Sequence, residues 1–236
     1  MAQAPYGVMW HKNEAYGAIR YINIFFEKIG NVYNMEDSEK KLWTAELKAL
    51  KAHFYFELMR RYGPIILVPE NIDPNASLDE MKQPRRPIDE VVNAIVELCD
   101  EAIEDLPYLK EKPSTRITYH SKESAATLKA MTLLYAASPL FNGNKMFANF
   151  LNKNGERLFP DYDKEKWRKA AEAADEAIKI CEAAGKTLVT GNTDRPTKLL
   201  NIMKDIAHKF SRRIRQYLDV YSHILHLDFL WLFLFL

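Results

Sequence analysis

The sequence SKESAATLKAMTLLYAASP, from Ser121 to Pro139, decides the fold of this chain because it is almost wholly apolar from Ala125 onward. Ser121 is placed to cap the start of a helix, and Pro139 cannot continue one. A helix that is apolar on every side must be buried on every side, and its alanines let neighbouring backbones approach closely. We therefore expect this helix at the centre of a helical array.

A second alanine-rich helix follows. Asp163 is placed as its cap, Gly185 ends it, and one apolar stripe carries Trp167, Ala170, Ala174, Ile178 and Cys181. Two such helices in succession form a packed pair, which is the repeating unit of an α-solenoid.

Helical periodicity also dominates the sequence before this pair. It predicts helices over about 12–29 and 38–62 and from Pro87 to Leu106, with short extended pieces at Ile65–Val68 and Ile117–Tyr119. The intervals between helices are irregular and the loops are long, unlike the regular period of 34 residues in tetratricopeptide repeats. The sequence therefore predicts an all-α fold, an irregular tetratricopeptide-like helical array with long loop insertions.

Four segments carry a resemblance to a known family. TLKAMTLLYAASPLF (Thr127–Phe141), DYDKEKWRKAAEAADEAIKI (Asp161–Ile180), AELKALKAHFYFELMRRYGPIILV (Ala45–Val68) and, more faintly, AYGAIRYINIFFEKI (Ala15–Ile29) occur in the family's order. Together they resemble the SusD/RagB family of nutrient-binding proteins of the Bacteroidetes outer membrane, over about Ala15 to Asp205.

This resemblance implies a function without catalysis. Members capture oligosaccharides, or in some cases other nutrients, on the outward face of the outer membrane. They pass them to a partner TonB-dependent transporter, a SusC-like porin, and need no cofactor. The alternative reading is a soluble tetratricopeptide-like adaptor that binds a protein segment, and a helical glycan-degrading enzyme is a third class.

Composition and motifs give no sign of other functions. The formal net charge is +1, with 47% hydrophobic and 28% charged residues, which does not suggest a nucleic-acid partner. Neither a nucleophile elbow nor a phosphate-binding glycine loop is present. His223 and His226 have ligand-like spacing but lie in an atypical tail, so no metal site is expected. Cys99 and Cys181 lie on apolar stripes and are expected to be small buried hydrophobes.

Both ends of the chain depart from the family pattern. The N-terminus lacks the lipoprotein signal of family members, and the sequence becomes abruptly apolar after Gln216, ending in the uninterrupted run Phe229–Leu236. Eight residues are too few to span a bilayer, which takes about 20. We therefore divide the chain into an incomplete SusD-like domain, 1–216, and an atypical apolar tail, 217–236. A shifted reading frame or a truncated gene explains the tail best, and a membrane-surface segment is the alternative.

A glycan site needs aromatic faces for sugar rings and amides or charges for hydroxyl groups, placed on loops of a rigid scaffold. Trp43 and Trp167 share helical stripes with apolar residues and are expected in the core. The residues that remain form two groups around the first helix and in the loop after Pro139. The candidate ligand-binding residues are Trp10, Asn13 and Arg20, with Asn23 considered beside them, and Phe141, Asn142 and Asn144.

Overall fold

The computed structural model describes residues 12–187, and Lys12–Gly185 form one compact unit. Over this range the fold is all-α and has no strand. The helices are α1 (Lys12–Lys28), α2 (Asp37–Tyr62), α3 (Leu78–Met81), α4 (Ile88–Asp105), α5 (Lys122–Ala137) and α6 (Glu165–Ala183). The predicted tail, 217–236, lies outside the described residues.

The long helices pack in succession to form the tetratricopeptide-like array that the sequence predicts. α1 packs on α2, α2 on α4, α4 on α5, and α5 on α6. The main core lies among the first four of these helices and the loop after α5. Its fully buried members include Ile19, Tyr55, Phe56, Met59, Ile88, Ile95 and Phe141.

The extended segment at Ile65–Val68 does not pair as a strand. Several of its backbone groups bond to side chains, and the Ile65 carbonyl accepts the backbone N–H of Arg86 at 2.8 Å. The Tyr16 hydroxyl donates to the Ile66 carbonyl at 2.9 Å, and the Val68 N–H donates to the Tyr55 hydroxyl at 2.8 Å. Because helices α1 and α2 supply these partners, no neighbouring strand is needed to satisfy the segment.

Two loops also differ from expectation. Ile117–Tyr119 forms a turn after a short 3₁₀ helix, Ser114–Arg116, and is not extended. The proline-rich loop before α4 contains the one-turn helix α3. Ser77 and Glu80 form a reciprocal capping box at the start of this helix. This pattern could have been recognised in the sequence.

The orientation of α6 corrects the predicted stripe. The helix buries Ala170, Ala173 and Ala177, whereas Trp167 is 43% exposed and Ile178 is 56% exposed. The alanine face gives α6 its close approach to α5, and the bulkier residues face outward. The expectation that Trp167 lies in the core is therefore wrong.

Two further expectations about burial need correction. Trp43 is 37% exposed on α2, and Leu134 is 42% exposed on α5, so α5 is not buried on every side. The cysteine prediction holds for Cys99, which is fully buried, while Cys181 is half-buried, and the two do not form a disulfide with each other. Burial, with the Asp100 carboxylate beside it, raises the pKa of the Cys99 thiol to about 12, so it is inert at neutral pH.

Candidate functional site

The first group of predicted ligand residues lies around α1. Trp10 and the side chain of Asn13 lie outside the described residues, although the backbone of Asn13 belongs to the first turn of α1. Arg20 is exposed on the same helix, and its backbone carbonyl accepts a hydrogen bond from Asn71 Nδ2 at 3.3 Å. A ligand role for these three residues stays a prediction.

Asn23 joins α1 to α2 and to the segment after it. Its Oδ1 accepts a hydrogen bond from Lys51 Nζ at 2.6 Å, and its Nδ2 donates to the Val68 carbonyl at 3.1 Å. Lys51 also donates to the Pro69 carbonyl at 2.9 Å. Burial lowers the pKa of Lys51 to about 8, against the opposing charge of Glu70. Sequence reasoning missed Lys51, because a lysine in a helix looks like a solvated residue.

The second predicted group lies in the connection between α5 and α6, where Phe141 is 2% exposed. Its ring lies parallel to that of Phe159, with 6.4 Å between the two ring centroids. The ring of Phe147 also stacks on that of Phe159, with 4.7 Å between their centroids. Phe150 joins the same cluster and carries the Arg85 guanidinium at 4.9 Å from its ring centroid. In this arrangement Phe141 packs inside the loop.

Asn142 fixes the end of that connection. Its Oδ1 accepts a hydrogen bond from the Asp163 N–H and its Nδ2 donates to the Asp163 carbonyl, both at 2.8 Å. Asn144 caps a short 3₁₀ helix, accepting from the Met146 N–H at 3.0 Å and donating to the Leu140 carbonyl at 3.2 Å. Both amides thus have partners within the protein, and a ligand role for either stays a prediction.

Asp163, the residue held by Asn142, lines a cleft of about 150 Å³ between α4, α5 and the start of α6. Lys166 crosses one side of this cleft as an ion pair with Asp89. The cleft is lined by Asp89, Val92, Asn93, Leu133, Ala136, Asp163, Lys166 and Lys169. No local sequence pattern indicates this cleft, because its lining comes from three helices and from the end of the long connection between α5 and α6.

A second polar cluster lies near the start of α2. The Glu46 carboxylate pairs with Lys112 at 3.0 Å and with Arg116. The Arg116 guanidinium lies over the rings of Trp43 and Tyr119, 5.4 Å and 4.7 Å from their centroids. These two aromatic rings are therefore engaged by a cation of the chain itself.

Residues 12–187 contain no group of three or more His, Cys, Asp or Glu side chains placed to hold a metal ion. None of the described helices is long and apolar enough to cross a bilayer.

Residues 1–133, more than half of the chain, match the sequence profile of a SusD-like family described as "Starch-binding associating with outer membrane". The chain belongs to this SusD-like family. The match covers α1 to α4 and most of α5, so it includes the α4 side of the cleft but not the side formed by α6. No curated protein matches the chain.

Solved structures resemble a larger share of the chain, about three quarters of it. BT4246 is 32% identical, with a TM-score of 0.69 over 75% of this chain and 30% of that one. A SusD-like protein from Bacteroides fragilis, BF3747, is 26% identical, with a TM-score of 0.56 over 77% of this chain and 28% of that one. A protein solved with a xylogluco-oligosaccharide is 18% identical (TM-score 0.52, 75% and 30% covered), a likeness in fold alone. The chain therefore spans about 30% of the length of these SusD-like relatives.

Proposed function

We propose that this chain is the helical part of a glycan-binding protein that captures neutral oligosaccharides at the outer membrane without cleaving them. The observation that carries the proposal is the match of residues 1–133 to a family described as starch-binding and associated with the outer membrane. The packed helices supply a rigid scaffold, and the connection after α5 supplies polar and aromatic residues beside a cleft. Rigid scaffolds with functional loops are typical of binding proteins.

The resemblance also supports delivery of the glycan to a TonB-dependent, SusC-like transporter. Weak, reversible contacts with sugar hydroxyls and C–H faces suit a ligand that must be passed on. Arg20 and Asn144 are the described candidates with at least partly exposed side chains.

The experiment that tests glycan binding is affinity electrophoresis of the full 236-residue chain in gels that contain starch, with a gel lacking polysaccharide as reference. We expect retardation in starch, and calorimetry with maltoheptaose to show saturable binding. Reducing-end analysis of the same mixture should show no release of shorter glucans. Equal mobility in both gels together with no heat of binding would overturn glycan capture, and release of glucans would overturn a role without catalysis.

Location and partnership need a separate experiment in cells that make the protein. We expect an antibody against α1–α6 to detect it in the outer-membrane fraction and to co-precipitate a TonB-dependent transporter. Recovery in the soluble fraction without a transporter would favour the adaptor reading instead.

A further inference from the structure

The cleft between α4, α5 and α6 has the size of a subsite for one ring. Its volume is about 150 Å³, whereas pockets for drug-sized ligands begin at roughly 300 Å³. α4 contributes Asp89, Val92 and Asn93, and α5 contributes Leu133 and Ala136. Asp163, just before α6, closes the third side together with Lys166 and Lys169 of α6.

The cleft has an apolar floor. Val92 is 5% exposed and Ala136 is 4% exposed, and Leu133 is half-buried beside them. Side chains that already pack against the core keep their positions when a ligand arrives, so little ordering entropy is lost. A floor of this kind fits the C–H face of a pyranose ring.

The rim contains two kinds of polar group. Some already have a partner within the protein, and others have none among residues 12–187. Lys166 is paired with Asp89, and Asp163 Oδ1 accepts the Glu165 N–H at 2.9 Å. Within residues 12–187, by contrast, the Asn93 amide and the Lys169 ammonium form no hydrogen bond or ion pair, and both residues are exposed. An amide offers both a donor and an acceptor, and an ammonium offers donors, which suits a ligand rich in hydroxyl groups.

The charge of the lining favours a neutral ligand. The two carboxylates, on Asp89 and Asp163, balance the two ammonium groups, on Lys166 and Lys169. A phosphate or another anion would meet the carboxylates at close range as well as the lysines, and like charges in a small cleft repel. A neutral polyol uses donors and acceptors of both kinds without this opposition.

Tyr162 directly precedes Asp163 of the cleft lining, and its side chain is 65% exposed. Gly143 packs closely against Tyr162: a Cβ added at Gly143 would lie 2.6 Å from Tyr162 Cβ. The Asn142 bonds to Asp163 fix the next residue. An exposed ring on a fixed backbone, next in sequence to a residue of the cleft rim, supplies a stacking surface.

We propose that this cleft holds one pyranose ring of a bound neutral glycan, with its C–H face on Val92, Leu133 and Ala136 and its hydroxyl groups bonded to Asn93 and Lys169. The inference rests on the proposed function and assigns it a place in the fold. Tyr162 stacks on the neighbouring unit of the same glycan.

The test uses the full chain with maltoheptaose as the probe. Asn93→Ala and Lys169→Ala each remove one group that has no structural partner, so both variants should melt like the wild type. Loss of one hydrogen bond to a ligand is worth about 1 kcal/mol, so each variant should bind about five- to tenfold more weakly. Lys179→Ala is the matched control, since Lys179 is an exposed lysine on the same helix outside the cleft, and it should bind like the wild type.

A third variant blocks the cleft without removing a polar group. Ala136→Leu adds volume to the floor and should abolish binding of methyl α-glucopyranoside, provided that its melting midpoint shows a folded protein. Nuclear magnetic resonance shifts of Asn93 and Lys169 during titration with this monosaccharide would locate the ring directly.

The outcomes separate the subsite from the wider function. If maltoheptaose binds the wild type and all cleft variants equally, the subsite is wrong and glycan capture lies elsewhere on the chain. If no glucan binds the wild type, the proposed function fails and the subsite falls with it. Titration with inorganic phosphate completes the test, because shifts at the two lysines with phosphate but not with the glycoside would overturn the neutral ligand in favour of an anion.

Discussion

Glu46 is the acceptor for two cations that are largely removed from water. The side chain of Lys112 is 1% exposed and that of Glu46 is 6% exposed, and their contact at 3.0 Å is supplemented by Arg116. Burial lowers the pKa of Lys112, and the Glu46 carboxylate opposes that shift. Removing one member of a buried pair costs more than the pair itself contributes, because the other charge stays buried.

We therefore expect Glu46→Ala to lower the free energy of unfolding by about 3–5 kcal/mol. The matched control is Glu101→Ala, which removes a carboxylate paired with Lys48 at 2.9 Å but 45% exposed. Such an exposed pair contributes about 0–1 kcal/mol. Urea unfolding of the two variants measures the difference, and equal losses would show that the Glu46 cluster is solvated.

His120 makes stability depend on acidity. Burial, together with the nearby His53 and Lys112, lowers the pKa of His120 from 6.5 to about 3. The unfolded chain thus binds a proton below 6.5 that the folded chain binds only near 3, so stability is lost as the pH falls through this window. The imidazole of His53 lies 5.8 Å away and its pKa is also lowered, which adds a change of the same sign.

Each such histidine contributes a slope of up to about 1.4 kcal/mol per pH unit. We expect urea unfolding between pH 7 and pH 4 to show falling stability, and His120→Gln to reduce the slope, since glutamine keeps a polar group but cannot titrate. Glu57, which faces His53, contributes equally to both proteins and cancels in the comparison. An unchanged slope in the variant would mean that His120 is protonated in the folded state.

At the scale of single elements, Gly143 allows two distant parts of the α5–α6 connection to pack closely together. It has φ of 74°, and a Cβ there would lie 2.6 Å from Tyr162 Cβ and 2.9 Å from the Tyr162 backbone. Gly155 in the same connection has a similar φ of 81° but open space around it. The pair therefore separates backbone strain from steric contact.

We expect Gly155→Ala to cost about 1–2 kcal/mol, the price of a left-handed conformation for an L-residue. Gly143→Ala should cost about 1–3 kcal/mol more, as overpacking does. Thermal unfolding of both variants tests this expectation. Equal costs would indicate that Tyr162 moves aside easily, which would also weaken its role as a fixed stacking surface.

Helix existence was predictable and helix orientation was not. Period-3.6 patterning located α1, α2, α4, α5 and α6 to within a few residues. In α6, however, alanines occur all round the helix, so apolar periodicity alone cannot choose between the Ala170–Ala173–Ala177 face and the face with Trp167 and Ile178. The structure buries the face of small residues, because it allows the closer helix approach.

The candidate site shows the same limit for loops. A loop rich in asparagine and phenylalanine was expected to face solvent, but Phe141 packs on Phe159 and Asn142 bonds to Asp163. Asn142 and Asp163 are 21 residues apart, and no local pattern reports such a partnership. The cleft that this contact shapes is accordingly visible only in three dimensions.

At the scale of the whole molecule, the α5–α6 pair exposes several large apolar side chains. Leu134 on α5 is 42% exposed, and Trp167 and Ile178 on α6 are 43% and 56% exposed, while the residues that α6 buries are all alanines. Large exposed apolar side chains grouped on one face favour association and the binding of apolar dyes.

We expect Ile178→Lys to reduce dye fluorescence and light scattering of the full chain while leaving its melting midpoint unchanged, because the side chain is 56% exposed. Ala177→Lys is the matched control on the same helix: Ala177 is 7% exposed, so a lysine there must bury an unpaired charge against α5 or separate the helices. It should lower the midpoint sharply. If Ile178→Lys destabilises the chain as strongly as Ala177→Lys does, then Ile178 is covered in solution, and the outer face of α6 belongs to the packed interior of the protein.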